Sequence, residues 1–137
     1  MARKAIYIIV VLIAAAILVW ITVENKSAPL IYKDLVKITK PVPNELIFSP
    51  LTIEGEARGF WYFEASFPVL LLDANGKEIS RTTARAQGEW MTENYVPFKA
   101  MLEFTKPATA TGTLVLEKDN PSDLPENADG LKIPVRF

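Results

Sequence analysis

Residues 49–87 read SPLTIEGEARGFWYFEASFPVLLLDANGKEISRTTARAQ, and their pattern decides the fold. Leu51, Ile53 and Gly55 fall on one side of an extended chain while Thr52, Glu54 and Glu56 fall on the other, which is the period-two alternation of a half-buried strand. Tyr62 to Asp73 is a longer, strongly apolar stretch, and Pro68 inside it points to a bulge or an edge position because proline cannot donate to a ladder. Asn75-Gly76 then supplies a hairpin signal, since both central residues of a type I′ turn need positive φ. The partner strand runs from about Lys77 to Gln87.

The same reading extends in both directions. Upstream, Leu35 to Thr39 forms a strand stopped by Pro41 and Pro43; Leu51 to Arg58 follows Ser49-Pro50. Downstream, Tyr95 to Phe104 alternates, with Val96, Phe98, Ala100, Leu102 and Phe104 on one face. Gly112 to Lys118 is next, and a polar loop from Asp119 to Gly130 leads to a last strand, Leu131 to Phe137. Seven short strands in about 100 residues, with polar turns and no convincing amphipathic helix, predict an all-β, immunoglobulin-like antiparallel β-sandwich over residues 35–137.

A different physics governs the first residues. Ala5 to Val23 contains no charge and is dense in Ile, Val, Leu and Ala, with Tyr7 and Trp20 near its ends. About 20 such residues at 1.5 Å rise cross roughly 30 Å of hydrocarbon, and aromatic rings suit the interfaces. The expectation is a transmembrane helix over residues 5–23, a short cytoplasmic N-terminus over 1–4, and a tether over 24–34. Arg3 and Lys4 before the run and Glu24 after it orient the helix by the positive-inside bias, leaving the following domain extracytoplasmic. A cleaved signal peptide fits less well: the run exceeds the usual apolar core of about 7–15 residues. Cleavage at Ala28 would also set Lys26 at the minus-three position and Pro29 directly after the cut.

Composition excludes several chemistries. The 137 residues include no cysteine and no histidine. Disulfides, thiolate nucleophiles and lipid attachment through a lipobox cysteine are thereby removed, as are the usual neutral-pH general base and the commonest transition-metal ligand. Of the 15 basic residues Arg3 and Lys4 precede the apolar run, which leaves 13 against 16 acidic ones, scattered singly. Such a surface does not bind nucleic acid, which needs a concentrated basic face.

The ordered set of motifs resembles a known family, the immunoglobulin-like domain associated with bacterial spore germination, second of the Gmad domains. Residues 49–57, SPLTIEGEA, are similar to its opening strand; Phe63-Glu64 and the turn Asp73-Ala74-Asn75-Gly76 resemble the elements that follow. Trp90, Phe98 and Leu102-Glu103-Phe104 resemble its central segment, and Ile133-Pro134-Val135 its closing strand. The resemblance covers about Ile38 to Phe137 and implies an extracytoplasmic module of cell-envelope proteins. A role in germination is not implied, because the family's companion domains are not present here.

Candidate sites follow from side-chain chemistry. Phe60, Trp61 and Tyr62, with Phe63, form the densest aromatic cluster; on strand alternation Trp61 and Phe63 face one way and Phe60 and Tyr62 the other, so one pair is a candidate interaction patch. Glu54, Glu56 and Glu64 read as a solvated face in the absence of any sign of a sugar cleft. Asp119, Asp123, Glu126 and Asp129 lack the spacing of a calcium loop and read as surface. Ser80, Thr82 and Thr83 have no base to activate them, and Trp90 is expected in the core. No catalytic, cofactor or metal site is expected. The functional expectation is a non-enzymatic binding module whose partner is another envelope protein or a glycan. The alternative is a subunit of a membrane complex that meets its partner through the helix itself, where Ala14, Ala15 and Ala16 permit close approach.

Overall fold

The computed structural model describes residues 3–11 and 28–137. Residues 3–11 are helical. Residues 12–23 of the expected membrane helix, and 24–27 of the tether, lie outside the described residues; among those described, no helix is long and apolar enough to cross a membrane.

Nine strands follow: β1 Leu30–Tyr32, β2 Val36–Lys40, β3 Glu45–Leu46, β4 Leu51–Arg58, β5 Ser66–Asp73, β6 Glu78–Ala86, β7 Tyr95–Leu102, β8 Thr111–Glu117 and β9 Gly130–Arg136. The seven expected strands are β2 and β4 to β9. β1 lies within the stretch expected as tether: Lys33 and Asp34 both take positive φ, the Leu35 N–H donates to Tyr32 O at 2.7 Å, and the chain folds back to pair Leu30 with Ile38. β3 was not expected either, and its pairing with β9 is the one parallel contact in an otherwise antiparallel set.

Strand order is β1-β2-β4-β7-β6-β5-β8-β9-β3. Only Arg85–Lys99 and Ala86–Phe98 pair across β6 and β7. At that narrow seam the order divides into two layers, β1-β2-β4-β7 and β6-β5-β8-β9-β3, whose apolar faces share one core. Alternation produces the faces: Leu51, Ile53, Gly55 and Ala57 of β4, Val96, Phe98, Ala100 and Leu102 of β7, and Leu131, Ile133 and Val135 of β9 all point inward and are buried. β5 is not the edge strand that Pro68 suggested. It pairs on both sides, but its pairing with β8 starts only at Val69, so the missing proline N–H falls where no neighbour requires it. Likewise the turn at Asn75-Gly76 takes another form: only Gly76 has positive φ there, and the Asp73 carboxylate accepts the N–H groups of Asn75 and Lys77 at 2.8 and 2.9 Å.

Gly55 is a point of close packing in the core. A Cβ there would collide with the carbonyl oxygen of Lys37 and the ring of Phe98. Without it, the Phe98 ring lies between the layers, edge-on to Phe67 at 5.0 Å. Gly55→Ala is therefore expected to lower stability in urea denaturation by about 1–3 kcal/mol, the usual cost of overpacking a core. An unchanged midpoint would show that the core has room the structure does not give it.

Candidate functional site

The turns at the ends of β1, β4, β6 and β8 gather at one end of the sandwich, because those strands run toward it and β2, β5, β7 and β9 run away. Here lie residues 33–35, 59–65, 87–94 and 118–129. Backbone hydrogen bonds tie them together: Arg58 N–H to Leu35 O (2.8 Å), Gly59 N–H to Asn94 O (3.1 Å) and Asp119 N–H to Trp61 O (3.1 Å). Gly59 is needed for this closeness, since a Cβ would strike the carbonyl oxygens of Trp90 and Thr92.

Residues 59–65 carry the chain from one layer to the other, and they divide the aromatic cluster differently from strand alternation. Gly59–Trp61 is a 3₁₀ turn, which breaks the period of two. Trp61 is fully buried and Tyr62 is 4% exposed, whereas Phe60 is 52% and Phe63 43% exposed. Trp61 meets Tyr32 edge-on at 6.2 Å, and the Tyr62 hydroxyl donates to Val96 O at 2.7 Å while its ring packs on Phe67. The exposed pair is thus Phe60 with Phe63, and Trp61 and Tyr62 of the expected patch belong to the core. Trp90, expected in the core, is half-buried against its margin.

Phe63 begins a tight turn. Phe63 N–H donates to Ser66 O (3.0 Å) and Ser66 N–H to Phe63 O (3.1 Å), with positive φ at both Glu64 and Ala65. That is the type I′ geometry built from two residues that disfavour it. Of the six non-glycine residues with positive φ among the described residues, Lys33, Asp34, Glu64, Ala65 and Asp123 all lie at this end. Left-handed backbone in such residues is held by its surroundings and concentrates at functional sites.

Phe60 and Phe63 flank a shallow hollow of about 300 Å³ whose other wall includes Asp119, Asn120, Ser122 and Asn127. The wall is braced internally: Ser122 Oγ donates to Asn120 Oδ1 (2.6 Å), Asn127 Nδ2 to Ser122 Oγ (2.9 Å) and Asn120 Nδ2 to Leu124 O (2.9 Å). Aromatic faces opposite amides and a hydroxyl can stack on and hydrogen-bond a sugar or a peptide side chain. The acidic residues of this loop do not gather around a cation site. Among the described residues no three carboxylates converge, and Asp129 turns away to accept the Tyr32 hydroxyl (2.7 Å) and the Lys33 ammonium (3.1 Å). Burial alone would raise the Asp129 carboxyl, but those bonds and the Gly130 N–H outweigh it and hold it below its ordinary range.

The remaining carboxylates are engaged elsewhere. On the outer face of β4, Glu54 pairs with Lys99 (2.9 Å) and Lys40 (4.0 Å), and Glu56 with Lys37 (3.9 Å). Glu64 sits apart in the end turn. Ser80 donates to Glu103 O at 2.6 Å. Where the outer face of β4 meets the loop end, Asp34 accepts the Tyr95 hydroxyl (2.8 Å) and the Arg58 guanidinium (2.7 Å), which together hold its carboxyl below the usual range, while Arg58 and Lys37 lie over the Tyr95 ring.

A family model, the immunoglobulin-like domain of bacterial spore germination, matches residues 35–124. The chain belongs to this family. The matched stretch of the immunoglobulin-like domain begins just before β2 and ends inside the loop that walls the hollow; β1 and β9 lie outside it. No curated protein and no solved structure matches the chain. In this immunoglobulin-like domain the aromatic cluster and the 119–130 loop were visible in the residue pattern, but the pairing of Phe60 with Phe63 opposite Asn120 and Ser122 was not, because the turn at Glu64-Ala65 carries none of the usual turn residues.

Burial pushes the Tyr62 phenol up from its ordinary range, and the Glu56 charge adds to the rise. The folded state therefore keeps a proton that the unfolded chain releases near pH 10, so this contribution is whole below about pH 10 and is lost as pH rises further. Tyr62→Phe is expected to cost about 1 kcal/mol at neutral pH, the worth of a buried hydrogen bond. Urea midpoints across the alkaline range should then fall less steeply in the variant than in the parent; equal slopes would place the phenol in water.

Proposed function

We propose that the protein is a membrane-anchored interaction module of the bacterial cell envelope, non-enzymatic, which engages an envelope protein or a glycan through the loop end of its immunoglobulin-like domain. The observation that carries this is the exposure of Phe60 and Phe63 on a backbone that is otherwise pinned. Two aromatic rings held out of the core beside a polar, internally braced wall form the pattern of a pre-organised contact, in which little freedom remains to be lost on binding.

The anchor half of the proposal rests on the uncharged run Ala5 to Val23, with Arg3 and Lys4 on its cytoplasmic side and residues 24–29 joining it to the domain. β1 supports the orientation: it runs from Leu30 toward the loop end, so the chain enters from the opposite side and the Phe60 hollow points away from the membrane. The non-enzymatic half rests on the sequence, which has neither histidine nor cysteine, and on the lysines that engage Glu54 and Glu56.

A photo-crosslinking amino acid in place of Phe60 is expected to capture an envelope component in intact membranes, and one in place of Lys132, on an outer sheet face, is not. Phe63→Asp should lower the yield from position 60 by about tenfold, as loss of a central aromatic contact does. Equal yields from positions 60 and 132, or indifference to Phe63→Asp, would remove the loop end from the function.

A further inference from the structure

The strand that precedes the sandwich also fixes how far the domain can stand from the membrane. Leu30 is in register with Ile38 and through it with Gly55, while Leu51 and Leu102 pair near the end opposite the loops. From Gly55 to Leu51 is four residues of β4, so that end lies roughly 13 Å beyond Leu30 at about 3.3 Å per residue. Between Val23, where the apolar run stops, and Leu30 there are only residues 24–29. Drawn out straight, this stretch reaches about 25 Å. The opposite end of the sandwich is then held within roughly 12 Å of the hydrocarbon boundary, and the headgroup layer itself occupies about 6 Å of that.

That end carries an unexplained aromatic ring. Phe48, between β3 and β4, is 70% exposed, although its neighbours are fixed: Ile47 is buried and donates its N–H to Arg136 O (2.9 Å), and Ser49 Oγ accepts the Phe104 N–H (2.9 Å). Leu46 and Met101 are exposed at the same end. Its side-chain charges balance, with Lys40, Lys77, Lys106 and Arg136 against Glu45, Asp73, Glu78 and Glu103, so no electrostatic attraction to an anionic surface is built in.

We propose that this end rests on the bilayer, with Phe48 seated at headgroup level as the lipid contact. The inference rests on the anchor of the proposed function. Phe48 lacks the polar tip of Tyr7 and Trp20, but its apolar ring is favoured at the headgroup–acyl boundary because it leaves water there, as the Phe, Trp and Leu side chains of interfacial segments do. One ring binds lipid weakly by itself, but the short tether makes the contact intramolecular and raises its effective concentration. The consequence is a domain held upright, its loop hollow aimed outward.

The full chain, which has no cysteine of its own, allows unique labelling with a nitroxide at Lys106→Cys on the membrane end and at Met91→Cys on the loop end. In vesicles of zwitterionic phosphatidylcholine the label at 106 is expected to be several-fold less accessible to a water-soluble relaxation agent than that at 91. Phe48→Glu should abolish the difference, and added anionic lipid should leave it unchanged. If both labels are equally wet in a chain that withstands alkaline extraction, the anchor stands and the docking is wrong. If alkaline extraction releases the chain, anchor and docking fall together. Near-ultraviolet circular dichroism identifies any unfolding by Phe48→Glu; in that event Phe48→Ser, a smaller change at the same exposed site, must abolish the difference or the assignment to Phe48 fails.

Discussion

Everything at the loop end depends on how residues 59–65 cross from one layer to the other. The crossing has to close the end of a core, and it does so with the largest side chain available, Trp61, followed directly by Tyr62. Two consecutive inward residues are incompatible with an extended strand, where neighbours point to opposite faces. The 3₁₀ turn at Gly59–Trp61 and the left-handed pair Glu64-Ala65 resolve that conflict. Phe60 and Phe63, on either side of the buried pair, are left outside as a result. The exposed aromatics are the geometric counterpart of the plug.

The same end is braced from a second direction. The β1–β2 turn reaches across with Tyr32 against Trp61 and its hydroxyl on Asp129, while Asp34 links to Arg58 and Tyr95. Most of these groups are solvent-exposed, and such pairs individually contribute little. Their effect is positional: they hold β1 on the edge of the first layer and fix the direction from which residues 28–29 lead into it. Fold and candidate site are therefore set by one short hairpin and one crossing, and the proposed membrane geometry rests on both.

Much of the fold was legible in the sequence because burial imposed a period of two on β4, β7 and β9 and because Asn75-Gly76 marked the hairpin. What escaped reading was decided by contacts distant in the chain. β3 is two residues long and exists because Leu46 lies beside Arg136, and β1 because Leu30 and Tyr32 find the margin of the core. The aromatic cluster was recognised, but its faces were assigned as for a strand, and a turn at Glu64-Ala65 has no local signal. Only the structure could distribute the four rings between core and surface. The reading of Ala5 to Val23 as a membrane helix rests on length and charge alone, and residues 12–23 lie outside the described residues.

Residue-resolved hydroxyl-radical footprinting of the folded protein tests the crossing most directly, because it reads side-chain exposure of all four rings at once. The account predicts rapid oxidation at Phe60 and Phe63 and protection of Trp61 and Tyr62 until the protein is unfolded. Oxidation of Trp61 or Tyr62 at rates matching Phe60 in the native state would contradict it.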